Sequence, residues 1–242
     1  MSTQLQTHFL TERFDSLTFK ENVERSMSQE SSNGDCEYSI AEAEDKNEIL
    51  DLARKYFNLD EPLNEYIGLT GPDGRCPDLE AYMIASLDEG TSVKATCDGK
   101  LVAFSMNGIV YSQDESEKSY VDNPKFQKIL DFLNYNSLAC DIFKRYPNAD
   151  KAMSVKIVSV DPCMRGKGVA TKLVEKTREI AKDLGCKLMF VECTSHFTAL
   201  IMQRLGFEKI YSLDYADYKV DEEVVFKPKK PHSTYTVYTQ EL

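Results

Sequence analysis

Acidic and hydroxyl side chains give this sequence two places where chemistry is expected. Glu61 follows Asp60 and precedes Pro62, which keeps the residue before it out of the α-helical region. A carboxylate there is commonly found at a helix N-terminus. It is also a general base if partial burial raises its pKa. The run Thr194–Thr198 places hydroxyls and an imidazole where a helix is predicted to begin, as caps or as proton donors.

A glycine-rich loop is the third chemical feature. Gly166 and Gly168 lie between an apolar strand, predicted over 153–160, and a helical pattern that begins near Ala170. Backbone N–H groups at a helix start lack partners and favour an anion. Glycine lets a ligand approach the backbone, and Arg165 and Lys167 add positive charge. The loop fits neither the GxxxxGK[ST] nor the GxGxxG pattern, and its chemistry predicts a diphosphate site.

The predicted elements around these residues define one α/β domain. A strand, the loop, an amphipathic helix, a strand over 187–193, a helix ending at Gly206 and a strand over 207–213 follow in order. A helix and a hairpin at Asp98-Gly99 precede them. We therefore expect a mixed central sheet flanked by helices over residues 36–242. Residues 1–35 are polar and aperiodic, and we expect a flexible tail.

Composition excludes several classes of protein. The net charge of −11 disfavours nucleic acid and suits a cationic partner such as an amine. No apolar run approaches the ~18 residues of a membrane span, and no secretory signal is visible. The seven cysteines are scattered without a CxxC pair, and with three distant histidines they predict free thiols and no metal site. We expect a cytoplasmic monomer.

The order of these motifs resembles the GNAT superfamily of N-acetyltransferases, and more narrowly the insect arylalkylamine N-acetyltransferases. The resemblance runs from about residue 38 to the C-terminus. It rests on the pattern Arg165-x-x-Gly168-x-Ala170 between strand and helix, and on Leu205-Gly206-Phe207. The narrower likeness rests on six stretches, which are 60–64 (DEPLN), 159–161 (SVD) with Arg165-Gly166-x-Gly168, 193–196 (CTSH), 216–218 (ADY), 224–228 (VVFKP) and 231–232 (PH).

The resemblance implies roles for individual residues. It makes Glu61 the general base that takes a proton from the amine. Thr194 and Thr198 fall where insect members carry serines proposed to take part in catalysis. The tyrosine that many members use to protonate the departing thiolate is replaced by Met202. The identity of a general acid therefore stays open, and Thr194 or Ser195 is equally expected to cap the helix.

Substrate contacts are also implied by the resemblance. Acetyl-CoA is the expected co-substrate, with its pantetheine arm along the backbone at Val158 and Val160. Its pyrophosphate is expected on the N–H groups of the loop, which comprises Arg165, Gly166, Lys167, Gly168, Val169 and Ala170. Apart from the resemblance, we expect aromatic and apolar groups to line the amine pocket. Tyr66, Phe197 and Met106 are the candidates, with Asp60 also on the substrate side.

These residues predict acetyl transfer from acetyl-CoA to arylalkylamines such as dopamine, serotonin, tyramine, octopamine or tryptamine, directly within a ternary complex. One alternative keeps the fold and changes the substrate to agmatine, a polyamine or a longer acyl-CoA. Another is an acyl-CoA-binding protein without catalysis.

Overall fold

The computed structural model describes residues 36–113 and 120–242, so the predicted tail over 1–35 lies outside the described residues. The strands of the described part are β1 (Glu37–Ile40), β2 (Val93–Cys97), β3 (Lys100–Tyr111), β4 (Lys151–Val160), β5 (Leu188–Cys193), β6 (Glu208–Asp214), β7 (Lys219–Val220), β8 (Glu223–Val224) and β9 (Thr234–Glu241). Its α-helices are α1 (Lys46–Leu52), α2 (Asn58–Asp60), α3 (Pro62–Ile67), α4 (Pro77–Ile84), α5 (Pro124–Cys140), α6 (Ile142–Arg145), α7 (Val169–Asp183) and α8 (His196–Arg204).

The central sheet has seven strands in the order β1-β2-β3-β4-β5-β9-β6 among the described residues. β4 and β5 run parallel and are joined by the crossover helix α7, whereas the other neighbouring pairs are antiparallel. The predicted mixed α/β architecture is therefore confirmed. The C-terminal strand β9 lies between β5 and β6, a position that local sequence patterns do not reveal.

Local sequence explains the elements that carry the site. Asn123 caps α5 by accepting hydrogen bonds from Lys125 N (3.0 Å) and Phe126 N (3.3 Å), and Pro124 fits the first helical position. Asp98 and Gly99 have positive φ values of 51° and 72°, as a two-residue hairpin turn between β2 and β3 requires.

Two apolar layers cover opposite faces of the sheet. Helix α7 buries one face at helical spacing, with the buried set Val169, Leu173, Val174, Thr177, Ile180 and Ala181. On the other face an aromatic cluster surrounds the fully buried Phe132 of α5, whose ring lies 5.6 Å from Tyr215 and 5.4 Å from Tyr235. The candidate site described below borders both layers.

A buried polar network joins the sheet to α7. The amide Nδ2 of Asn107 donates to Thr91 O (2.8 Å) and Thr177 Oγ1 (3.0 Å), while its Oδ1 accepts from Ser105 Oγ (2.7 Å). Asn107 is 0% exposed, so each bond replaces water that the folded protein excludes.

The expectation that all cysteines are free is wrong for one pair. Cys36 and Cys97 form a disulfide with a Cα–Cα distance of 4.4 Å. The cause is strand pairing: Glu37 lies opposite Thr96, which places the two cysteines beside each other at the end of the β1–β2 ladder. The other five cysteines are free thiols. Within the described residues, no helix has the length and apolar character to cross a membrane.

Candidate active site

The parallel strands β4 and β5 separate near the middle of the sheet. Within the described chain they pair over the four residues from Ala152 to Val155 of β4. Lys156 is an extra residue in the β3–β4 ladder, because Met106 pairs with Ile157 while the next residue of β3 pairs with Val155. A bulge bends its strand locally. The end of β4, residues 157–160, therefore diverges from β5 and opens a gap at the β5 C-terminus.

The predicted backbone contacts at Val158 and Val160 lie on this diverging segment. Both residues pair with β3, and their side chains pack partly buried against the core. The Val160 carbonyl also accepts a hydrogen bond from Arg165 Nε (3.1 Å). The Val160 carbonyl, which we expected to bind the pantetheine arm, is thus already hydrogen-bonded to the Arg165 side chain.

The glycine-rich loop connects this strand end to α7. Asp161 begins the loop, and its carboxylate accepts from Cys163 N (2.9 Å), fixing a tight turn over Pro162–Met164. Gly166 and Gly168 have φ values of 77° and 81°, which favour glycine. A Cβ on either glycine would meet no atom within 4 Å, so space does not require glycine at these positions. The positive φ angles are the reason that glycine is favoured there.

Five consecutive backbone N–H groups of this loop are free within the described structure. No described atom accepts a hydrogen bond from the N–H groups of residues 166–170, and no side chain caps the start of α7. Unpaired N–H groups at a helix N-terminus bind anions, so these residues fit a pyrophosphate. The predicted set is one residue too long, because Arg165 N donates to Pro162 O (3.3 Å).

Arg165 joins the two predicted motifs through its side chain. Its Nη2 donates to Asp60 Oδ2 at 2.9 Å, and both side chains are about half exposed. Such an exposed ion pair contributes little to stability, but it holds the residue next to Glu61 against the glycine-rich loop. The structure thus pairs Asp60 with the glycine-rich loop, whereas we expected Asp60 to lie on the amine side.

Glu61 is both a helix cap and an enclosed carboxylate. Its φ and ψ of −65° and 128° are non-helical, and its Oε2 accepts from Asn64 N (2.7 Å) at the start of α3. Its other oxygen, Oε1, is buried and has no hydrogen-bond partner among the described residues. The cap therefore occupies one oxygen, and the second is enclosed by protein without a hydrogen-bond partner among the described residues.

The surroundings of Glu61 favour its neutral form. Burial raises the pKa of this carboxyl, while the hydrogen bond from the Asn64 N–H opposes the rise, as do the nearby Thr194 hydroxyl and Leu63 N–H. Thr194 lies close to Glu61 without reaching hydrogen-bond geometry to Oε1. A carboxylate with a raised pKa is a stronger base than a solvated one, as a proton acceptor near neutral pH needs to be.

The hydroxyls predicted at the start of α8 have different surroundings. Thr194 follows β5 and lies close to Glu61. Ser195 caps α8, because its Oγ accepts from Phe197 N (3.2 Å). Thr198 lies in the first turn of α8, and no hydrogen bond joins its hydroxyl to Glu61 in the part of the chain that the structure describes.

A tyrosine that sequence reasoning missed completes this group. Tyr215 is buried, and its hydroxyl donates to Thr194 O at 2.7 Å. Burial and the charge of Glu61 both raise the pKa of the Tyr215 hydroxyl, so it remains a neutral donor. No local motif marks Tyr215, since it comes to Glu61 through the turn that follows β6.

The predicted acceptor-side aromatics lie at the surface near this opening. Tyr66 and Phe197 are 41% and 58% exposed, which suits a rim better than a closed pocket. Tyr66 packs against Phe226 with ring centroids 6.3 Å apart, and Phe197 packs against His232 at 5.5 Å. Met106 is wrong as a pocket residue, because it is fully buried in the core beneath α1.

The chemistry of other groups here is limited by burial. Burial raises the pKa of the Cys193 thiol, and the neighbouring Glu192 raises it further, so a reactive thiolate is disfavoured. Within the described residues no cluster of three or more His, Cys, Asp or Glu side chains has the arrangement of a metal site.

Comparison with known proteins assigns the chain to a family. A model of the acetyltransferase (GNAT) family matches residues 66–207. Arylalkylamine N-acetyltransferase 2 from Aedes aegypti is 30% identical with a TM-score of 0.81, and the match covers 85% of this chain and 98% of that chain. The chain therefore belongs to the GNAT acetyltransferase family, whose co-substrate is acetyl-CoA.

Two further solved structures share the architecture. The Drosophila melanogaster polyamine N-acetyltransferase that forms N-acetylagmatine is 25% identical with a TM-score of 0.77, over 86% of this chain and all of that one. A mosquito arylalkylamine N-acetyltransferase-like 5b is 24% identical with a TM-score of 0.76, over 86% and 100%. Asp60 and Glu61 lie just before the residues that the family model matches. The family match thus gives no role to Glu61.

Proposed function

We propose that this protein transfers the acetyl group of acetyl-CoA to the primary amine of an arylalkylamine, such as dopamine, serotonin, tyramine, octopamine or tryptamine. The family and the Aedes aegypti relative support acetyl transfer to an amine. The observation that carries the proposal is the enclosed Glu61 carboxyl, whose Oε1 has no partner among the described residues. It lies beside Thr194, at the end of β5 where the sheet opens.

Glu61 supplies the proton acceptor that acetyl transfer to an amine needs. A primary amine has a pKa near 10, so roughly one molecule in a thousand is the neutral nucleophile at pH 7. The carboxylate accepts the ammonium proton, directly or through water, and the neutral nitrogen attacks the thioester carbonyl. The C–N bond forms, the C–S bond breaks, and CoA leaves as a thiolate that takes up a proton.

The remaining residues position the two substrates. The N–H groups of residues 166–170 hold the pyrophosphate, and the diverging end of β4 lies along the pantetheine arm. Thr194 supplies a hydroxyl at the reacting end, and Thr198 is the second proposed donor one turn further along α8. Tyr66 and Phe197 provide apolar surface at the amine entrance. Rate enhancement then comes mainly from holding nitrogen and carbonyl together.

A second acceptor class is favoured by one relative. The Drosophila melanogaster enzyme forms N-acetylagmatine, and its 25% identity is close to that of the mosquito enzyme. The net charge of −11 is compatible with a doubly charged acceptor as well. Agmatine is therefore the competing substrate, with the same base and the same loop.

The test is an acceptor panel that follows CoA thiol release from acetyl-CoA. The panel contains dopamine, serotonin, tyramine, tryptamine, agmatine and spermidine. The proposal expects the highest kcat/KM for arylalkylamines. Highest kcat/KM for agmatine or spermidine supports the competing class, and binding of acetyl-CoA without release for any amine identifies a non-catalytic binding protein.

A further inference from the structure

A second carboxyl group lies on the same face of β5 as the reacting end. Glu192 belongs to β5 and lies two residues before Thr194. Its strand neighbours Val191 and Cys193 pack in the cluster with α7, so the Glu192 side chain points to the opposite face of the sheet. Glu192 Oε1 accepts a hydrogen bond from the hydroxyl of Tyr235, which is itself fully buried. The carboxyl is therefore fixed in place by β9.

The other oxygen of this carboxyl has no partner. Glu192 Oε2 accepts no hydrogen bond and forms no ion pair within the described residues, yet it is not closed off from solvent. Burial raises the pKa of the Glu192 carboxyl, although the residue keeps part of its surface accessible. A group that is surrounded by protein and still accessible lines a concavity.

Tyr82 of α4 packs against the same aromatic cluster that contains Tyr235 and adds a second polar atom there. Its hydroxyl forms no hydrogen bond within the described part of the chain and is not sealed from solvent. Burial raises the pKa of the Tyr82 hydroxyl to about 12, and the nearby Glu192 charge contributes to the rise. The Tyr82 ring packs edge-on against Phe126 at 5.8 Å, so an apolar wall surrounds the two polar atoms.

One aromatic cluster connects this concavity to Glu61. Tyr215, whose pKa the Glu61 charge raises, contacts Phe132, and Phe132 contacts Tyr235. Tyr235 in turn holds Glu192. The two carboxyls thus border one aromatic layer, on the face of the sheet opposite α7.

We propose that Glu192 and Tyr82 bind the far end of the amine acceptor, through a hydrogen-bond donor on that acceptor. Glu61 receives the reacting nitrogen, and Glu192 Oε2 accepts from a phenolic hydroxyl or a second cationic nitrogen at the opposite end. A buried carboxylate without a cation is costly, so a donor that pairs with it adds affinity. This inference rests on the proposed function and assigns Glu192 as a specificity-determining residue.

The experiment compares pairs of acceptors that differ only at the far end. Tyramine and phenethylamine differ by the phenolic hydroxyl, and agmatine and butylamine differ by the guanidinium. The readout is the ratio of kcat/KM within each pair, for the wild type, Glu192→Gln and Glu192→Leu. Loss of folded protein lowers both members equally and leaves the ratio unchanged. Glu208→Gln, an exposed glutamate at the start of β6, is the matched control.

In the wild type the donor-bearing member of at least one pair is expected to be favoured about 10- to 100-fold, as for a hydrogen bond to a charged group. Glu192→Leu removes that preference, whereas Glu208→Gln preserves it. If the preference lies in the agmatine pair, Glu192→Gln also removes it, because the charge is lost. If it lies in the tyramine pair, Glu192→Gln retains part of it, because an amide oxygen still accepts a hydrogen bond.

Three results overturn the inference. The first is a wild type that treats both pairs within twofold, and the second is a preference that Glu192→Leu leaves intact. Both leave the proposed function standing, because amines are still acetylated. The third is a wild type that acetylates no amine, which overturns the proposed function and the inference with it.

Discussion

Replacing Glu61 by glutamine is expected to lower activity while raising stability. Glutamine keeps the size of the side chain and the oxygen that caps Asn64, but it cannot accept the ammonium proton. A general base contributes about 10²- to 10⁴-fold, and the scarcity of neutral amine at pH 7 places the expected loss near 10³. The measurement is kcat/KM for dopamine by thiol release, at saturating acetyl-CoA, between pH 5 and 9.

The first expected effect concerns how activity depends on pH. Burial raises the pKa of Glu61 above the ordinary glutamate value of 4.5, and only the ionised form accepts a proton. Wild-type activity should therefore rise with pH through a midpoint above 4.5. Glu61→Gln should lose this rise and retain only the increase that comes from deprotonation of the amine itself.

The second expected effect concerns how stability depends on pH. A carboxyl whose pKa is raised in the folded state stabilises the protein below its unfolded pKa, and that contribution is lost as pH rises through the folded pKa. Glu61→Gln should thus unfold at a higher temperature than the wild type at pH 7 to 8, with the difference vanishing at low pH. Glu61→Ala is the matched variant, because it also loses the cap and about 1 kcal/mol.

Two outcomes refute this reasoning separately. Activity of Glu61→Gln within twofold of the wild type at every pH removes Glu61 as the base. A lower melting temperature of Glu61→Gln at neutral pH contradicts the burial of an ionised carboxyl.

Three other predictions concern the loop and the core. Gly168→Ala and Gly185→Ala place alanine at φ values of 81° and 72°, where a side chain is strained. Each should therefore lower the free energy of unfolding by about 1 kcal/mol in denaturant. Only Gly168→Ala should also raise KM for acetyl-CoA. Equal KM values for the two variants would contradict the loop assignment. Asp60→Asn should lower the free energy of unfolding by less than 1 kcal/mol, because the ion pair with Arg165 is exposed. It should also lower KM for acetyl-CoA at low salt, because the Arg165 guanidinium is then free to attract the anionic substrate. A raised KM contradicts this prediction. Asn107→Leu should cost about 2 kcal/mol or more, because its buried partners lose their hydrogen bonds, and a loss below 0.5 kcal/mol refutes that role.

Local sequence patterns predicted the parts of the site that local interactions determine. The strand, the glycine-rich loop and α7 are contiguous, and their apolar spacing and glycines dictate their form. A helix cap at Glu61 is one of two interpretations of the sequence, since an acid before a proline fits both a helix start and a base. The structure supports the cap directly, and the enclosure of the second oxygen makes the base compatible with it.

Contacts between residues that are far apart in the sequence could not be predicted from local patterns. Tyr215 reaches Thr194 only because β9 lies between β5 and β6, and Glu192 meets Tyr235 for the same reason. Asp60 pairs with Arg165 across 105 residues, and Cys36 with Cys97 across 61. No periodicity signals such contacts, because each depends on which strands are neighbours in the sheet.

The most direct test of the account is a crystal structure with a bisubstrate analogue that joins CoA to tryptamine. We expect the diphosphate on the N–H groups of residues 166–170 and the pantetheine arm in the gap beside β4. The tryptamine nitrogen should lie within about 3 Å of the Glu61 carboxyl or one water away from it. A Glu61 carboxyl that faces away from the junction of the two substrates contradicts the mechanism.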